Sequence, residues 1–225
     1  MVAEPIARRV ILASASPRRS DLLGQLGLEF VIAPTHIDET EHPGEDPVAY
    51  VRRVALEKAQ AVSGCGDDIV IAADTTVDVD GTILAKPVDD DDARRMLRLL
   101  SGRAHRVHTG VAVRHGGRVV VDVGTTVVKM APITDETMEC YIGTGEASGK
   151  AGGYAIQGEA AALIDGVQGS LSNVIGLPLG LLDQLMTSIG ISLPALIAAQ
   201  RDRAADCLGR GVVGPRVGGE HPQFV

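Results

Sequence analysis

Val10-Ile11-Leu12 is a short apolar run of the kind a buried strand shows, and three residues beyond it Ser16-Pro17 reads as a helix start. A strand that turns into a helix through so short a loop constrains the fold to an α/β arrangement. It also constrains what the loop can hold. The incoming helix aims unpaired N–H groups and the positive end of its dipole at the loop. Ser14 and Ser16 add hydroxyls, while Arg18 and Arg19 add two permanently charged forks. Arginines in a first turn oppose the dipole unless an anion compensates them, so the segment reads as an anion cradle whose natural occupant is a phosphate group.

Downstream segments supply the rest of an α/β domain. Leu22, Leu23 and Leu26 mark the first helix, with Gly27 as its stop, and Leu28 to Ala33 is expected to return as a strand. Asp46-Pro47 opens a helix with the inner stripe Val51, Val54, Ala55, Ala59 and Val62. Asp68 to Ala73 predicts a short buried strand delivering Asp74 and Thr75 at its carboxyl end, followed by a hairpin around Asp80-Gly81. Asp89 to Asp92 suits the first turn of a helix through Leu100, and Arg106 to Val113 and Arg118 to Met130 alternate as antiparallel strands. Thr134 caps a further helix, and the glycine-rich stretch 149–173 reads as short strands and turns before a helix that follows Pro178. The expected fold is a twisted mixed sheet flanked by helices, forming two lobes with a central cleft. Residues 1–208 are assigned to one domain and the Gly/Pro-rich 209–225 to a disordered tail.

Composition excludes several functions. With 21 basic against 29 acidic residues the 225-residue chain carries a net charge of -8, which argues against general binding to nucleic acid or anionic membranes. Aromatics are 2% of the chain, so there is no stacking platform, and any nucleobase must be read by hydrogen bonds. Cys65, Cys140 and Cys207 are odd in number and contain no CxxC, which fits a reducing cytoplasm. The uncharged stretches 167–182 and 184–200 contain Gly, Ser and Pro, a pattern of core segments instead of membrane spans.

Some motifs fail their context. Gly143 to Ser148 imitates a dinucleotide loop but follows a helix, and Gly149-Lys150-Ala151 lacks the leading Gly and the Ser/Thr of a P-loop. His105 and His108 are three apart in a strand, hence on opposite faces, and read as surface or loop histidines. Asp74 differs. A carboxylate directly after Ile-Val-Ile-Ala-Ala is expensive to keep charged unless cations or donors meet it, and it suits a general base or metal ligand. Lys58, Lys86 and the Asp38-Glu39 pair are each unremarkable alone. Together they add two lysines and further carboxylates able to hold Mg²⁺ or Mn²⁺ beside the serines and arginines.

The segments Leu-Ala-Ser-Ala-Ser-Pro-Arg-Arg (12–19), Ile-Asp-Glu (37–39), Glu-Lys-Ala (57–59), Ala-Ala-Asp-Thr (72–75), Leu-Ala-Lys-Pro (84–87), Leu-Ser-Gly (100–102), His-Thr-Gly-Val (108–111), Ala-Gly-Gly-Tyr-Ala-Ile-Gln-Gly (151–158) and Asn-Val-Ile-Gly-Leu-Pro-Leu (173–179) occur in the order of the Maf family. The chain thus resembles these nucleoside triphosphate pyrophosphatases over roughly residues 8–190. The resemblance implies metal-dependent cleavage of a nucleoside triphosphate between its α and β phosphates, with Asp74 as the proton acceptor, and a homodimer. It further implies that Arg18, Thr75 and Gln157 mark the dTTP/UTP branch; the branch acting on 7-methyl-GTP resembles Ser-Pro-Trp, Asp-Gln and Ser-Glu-Gly at those places. Ala85 and Leu171 depart from the family's usual Gly and Tyr. On this reading Arg19, Lys58 and Lys86 hold the phosphates with Ser14 and Ser16, Asp74 and Glu39 position metal and water, and Gln157 reads the pyrimidine edge. The rivals are 7-methyl-GTP or broad specificity, and a nucleotide-binding regulator of cell division or septum formation.

Overall fold

The computed structural model describes residues 8–64 and 66–209; the tail expected to be disordered lies, past Gly209, outside the described residues. Strand β1 (Val10–Leu12) leads into α1 (Pro17–Gln25), β2 (Val31–Ile32) and α2 (Pro47–Ala61). Next come β3 (Ile69–Val79), β4 (Thr82–Leu84), α3 (Asp90–Leu100), β5 (Ala104–His115) and β6 (Arg118–Met130). The chain then runs through α4 (Asp135–Gly143), two 3₁₀ turns, β7 (Ile164–Gln168), α5 (Leu171–Ile175), α6 (Leu179–Ser188) and α7 (Leu193–Gly209). The strands form one seven-stranded mixed sheet in the order β2-β1-β3-β5-β6-β7, with β4 paired to β3. Among the described residues no single helix is long and apolar enough to cross a membrane.

Local signals account for most of these elements. Asp46 caps α2 by accepting from the amides of Val48 and Ala49, Asp89 caps α3 and Thr134 caps α4. The stripe from Val51 to Val62 is buried against the sheet. Three expectations need correction. Leu28 to Ala33 yields only the two-residue β2, whose Val31 and Ile32 are half exposed at the sheet edge, so little burial holds a longer strand there. The 149–173 stretch has the expected turns, two of them 3₁₀, but β7 as its one strand among the described residues, and it ends in the short helix α5. Asp74 does not end a short strand: β3 continues for 11 residues through Thr75, Thr76 and Val77, because β5 pairs with it without a break from Val70 to Asp78.

The other side of β3 explains the cleft. There β1 pairs in parallel with Ile69 to Ile71, and β4 pairs antiparallel with Val77 to Val79. Residues 72–76 lie between these partners, at a point where neighbouring strand direction changes and open α/β sheets receive ligands. The cores show the same division. On one face Ile69, Ile71, Ala73, Val111 and Val113 join α1 and α6 in one cluster, while Val77, Val79 and Val107 join α3 and α4 in another. Thr75 and its register partner Thr109 sit between the two clusters. The opposite face, with Val70, Ala72 and Ala112, is covered by α2. That helix lies so close that a Cβ on Gly110 would fall 2.1 Å from the Val51 carbonyl oxygen, which requires glycine there.

Candidate active site

Adjacent residues of a strand point to opposite faces, so Asp74 and Thr75 reach two different sets of partners at the cleft. On the α2 face the Lys58 ammonium lies 2.8 Å from Asp74 Oδ1 and 2.9 Å from Glu39 Oε1. Lys58 and Asp74 are both buried, and a charge so placed is tolerated only when paired. Glu39 arrives on a loop that α2 holds down: the Tyr50 hydroxyl donates to the Glu39 carbonyl at 3.0 Å, and Arg53 grips Glu45 through two 2.7 Å bonds. That grip lowers the Glu45 carboxyl to about 2.

On the other face Arg19 is buried and donates to Gly176 O (2.8 Å), Ser14 Oγ (3.0 Å) and Thr75 Oγ1 (3.0 Å). Thr109 donates its single hydroxyl proton to Asn173 O at 2.9 Å, so the 3.0 Å contact between the threonines runs from Thr75 to Thr109. Asn173 in turn is fixed by bonds from its amide to Val107 O and Thr126 Oγ1. A relay from arginine to backbone thus joins both core clusters, and the Asn-Val-Ile-Gly segment is the brace behind Arg19. Burial lowers the Arg19 pKa and the Asp74 carboxylate opposes that shift.

The Asp74 side of the cavity, about 540 Å³ in volume, is lined by Ser14, Arg19, Glu39, Lys58 and Thr75. Its rim adds Ser16, Arg18, Lys86 and Gln157. The ten residues given roles at the site therefore meet in one place, whereas Asp38, offered as a further carboxylate, does not line the cavity; two refinements follow. Ser16 stands at the N-cap of α1 but makes no side-chain cap; its amide instead donates to Ser14 Oγ at 3.2 Å. Lys58 is a counter-ion to two carboxylates before any ligand arrives.

The cavity wall also contains residues with no role assigned from sequence. Lys150, on a segment set aside as a failed P-loop, lines the cavity with Ser148 and Tyr154. Its ammonium donates to the Glu146 carbonyl and its pKa is lowered by burial, then by the Arg18 guanidinium. Burial likewise lowers the pKa of Arg18, which is half-buried. Two crowded, partly desolvated cations beside a helix N-terminus are relieved by a polyanion. The histidines expected at the surface are both buried: His105 contacts the Tyr154 hydroxyl, and His108 lies between Thr125 and Asp78 on the opposite face. Their hydrogen-bond partners come from other elements, which makes that burial affordable. Among the described residues no three His, Cys, Asp or Glu side chains cluster as a metal site.

The sequence model of the Maf-like proteins matches residues 9–189. A dTTP/UTP pyrophosphatase of Anaeromyxobacter sp. (strain Fw109-5) is 50% identical over 194 residues, covering 84% of this chain and 93% of its own length. A dTTP/UTP pyrophosphatase of Chromobacterium violaceum is 47% identical over 192 residues, covering 83% of this chain and 97% of its own. Among solved structures, the Staphylococcus aureus Ham1 protein aligns with 89% of this chain and 100% of its own at 12% identity and a TM-score of 0.44.

Proposed function

The chain belongs to the Maf-like protein family, and from that membership we propose that it hydrolyses dTTP and UTP to the nucleoside monophosphate and pyrophosphate. The observation that carries the proposal is the pairing of the buried Asp74–Lys58 ion pair, joined by the part-exposed Glu39, with a cationic rim in one cavity. A triphosphate needs several cations for binding, and charge developing on departing pyrophosphate needs them again in the transition state. Arg18, Lys86, Lys150 and the first turn of α1 supply them. Arg19, with three of its five donors committed to protein, keeps two for a phosphate oxygen.

Asp74 and Glu39, the two carboxylates that meet at Lys58, are the residues that would hold a Mg²⁺ or Mn²⁺ ion, a hard cation that takes oxygen ligands. When bound, the ion neutralises phosphate charge. Asp74 takes the proton of the attacking water, and Lys58, 2.8 Å from Oδ1, aims its carboxylate. Thr75 is held by Arg19 and Thr109, so the backbone that carries Asp74 is fixed from the opposite face. Gln157 faces the base, where an amide offers both the donor and the acceptor that a pyrimidine edge requires. A homodimer acting in the cytoplasm belongs to this reading; light scattering of the purified chain tests the dimer.

The deciding experiment is hydrolysis of dTTP, UTP, CTP, GTP and 7-methyl-GTP with Mg²⁺ or Mn²⁺, with products identified, beside Asp74→Asn. Pyrophosphate from dTTP and UTP, lost in the variant, supports the proposal. Tight nucleotide binding without turnover would overturn it in favour of a regulator, and preference for 7-methyl-GTP would remove the roles given to Arg18, Thr75 and Gln157.

A further inference from the structure

Gln157 is exposed and sits on a segment with no strand or helix of its own, so something else must hold it still if it is to discriminate bases. Both ends of that segment are tied. At the near end the Tyr154 hydroxyl meets His105 Nε2 at 2.7 Å, and the two rings pack edge to face at 5.4 Å. Both residues are buried, and His105 stands near the start of β5, where its register partner is Val128 of β6. At the far end the Glu146 carboxylate accepts the Glu159 amide through both oxygens, at 3.2 and 3.1 Å. A Cβ on Gly158 would lie 2.5 Å from that carboxylate, so glycine is what permits the approach. The Glu146 carbonyl also receives the Lys150 ammonium, linking the other wall segment of the cavity to the same anchor.

His105, Tyr154 and Glu146 are not needed for the proton or phosphate chemistry described above. We propose that His105, acting through Tyr154, and Glu146 are positioning residues that pin the two ends of the 154–159 segment and thereby set nucleotide preference through Gln157. The inference rests on Gln157 facing the base. Burial lowers the His105 pKa to about 4, so the ring is neutral at working pH and the Tyr154 contact is a neutral hydrogen bond. The other ring nitrogen, Nδ1, is buried without a partner, which leaves the Tyr154 hydroxyl as the polar contact of this side chain.

The test measures kcat and KM for UTP and CTP in Glu146→Ala, Glu146→Gln, Tyr154→Phe and Gln157→Glu, with thermal midpoints recorded alongside. Glu146→Ala and Tyr154→Phe are expected to raise KM for UTP more than they lower kcat, and to compress the UTP-over-CTP preference by about tenfold. Glu146→Gln, which keeps an oxygen for the Glu159 amide, should restore most of that preference. If Gln157→Glu shifts preference while Glu146→Ala and Tyr154→Phe leave it at the wild-type value, the positioning proposal fails and the role of Gln157 stands. If Gln157→Glu leaves preference unchanged, the role of Gln157 fails, and a shift in the other two variants would then overturn the claim that they act through it. An equal loss of kcat on both nucleotides with preference intact also overturns the proposal. Should Glu146→Ala unfold, Tyr154→Phe alone decides, since it keeps the ring and removes only the hydroxyl.

Discussion

At the Asp74 end of the cavity Asp74, Lys58 and Arg19 sit on a strand and two helices and are buried against partners from other elements, whereas at the Gln157 end the chain is a run of turns held by two remote side chains. On the proposed function the difference separates two physical tasks. Proton transfer and phosphate binding require fixed distances, which regular elements supply; discrimination between bases needs a wall that can be altered without disturbing the reacting groups.

The comparison can be broken most directly at Asp74. Asp74→Asn keeps the shape and the Lys58 contact but not the basicity, so kcat should fall by about a thousandfold in a pyrophosphate-release assay, with KM within a few-fold of wild type. A result confined to KM would move Asp74 from the chemistry to binding. Gly110→Ala probes the rigidity of the same end: the added Cβ meets a backbone oxygen that cannot rotate away, and unfolding in urea should show a loss of about 3 kcal/mol. An unchanged midpoint would mean that α2 floats over the sheet.

The third prediction crosses to the Gln157 end. His105 titrates near 4 in the folded chain against 6.5 for an ordinary histidine, so the unfolded state binds the extra proton in that window. The stabilisation is complete above pH 6.5 and is lost as pH falls toward 4, by on the order of 3 kcal/mol, and His105→Gln should flatten this part of the curve in denaturant titrations. The smallest effect is expected at Lys150. Lys150→Met should raise KM for UTP by about threefold and leave kcat nearly unchanged, as expected for one cation among several on an open rim.

Much of the Asp74 end was legible in the sequence because its signals are local. The run from Val10 to Arg19, the Asp46 cap and the 3-4 stripe of α2 each read correctly, and all ten candidate side chains line one cavity. The continuity of β3 was not legible: a polar Asp-Thr-Thr interrupts the apolar run, and only pairing with β5 and the partners Lys58 and Arg19 makes that polarity tolerable inside a sheet. The burial of His105 and His108 was missed for the same reason, since Tyr154, Asp78 and Thr125 are distant in sequence. Lys150 was visible only as a motif that fails, and the bond from the Glu159 amide to Glu146 spans 13 residues of turns that carry no periodicity. Tertiary partners decided these cases.

The unbroken β3 has a mechanical consequence. One strand runs as a keel beneath both halves of the molecule, and Asp74 and Thr75 lie amidships, where any rocking of the halves produces the least displacement.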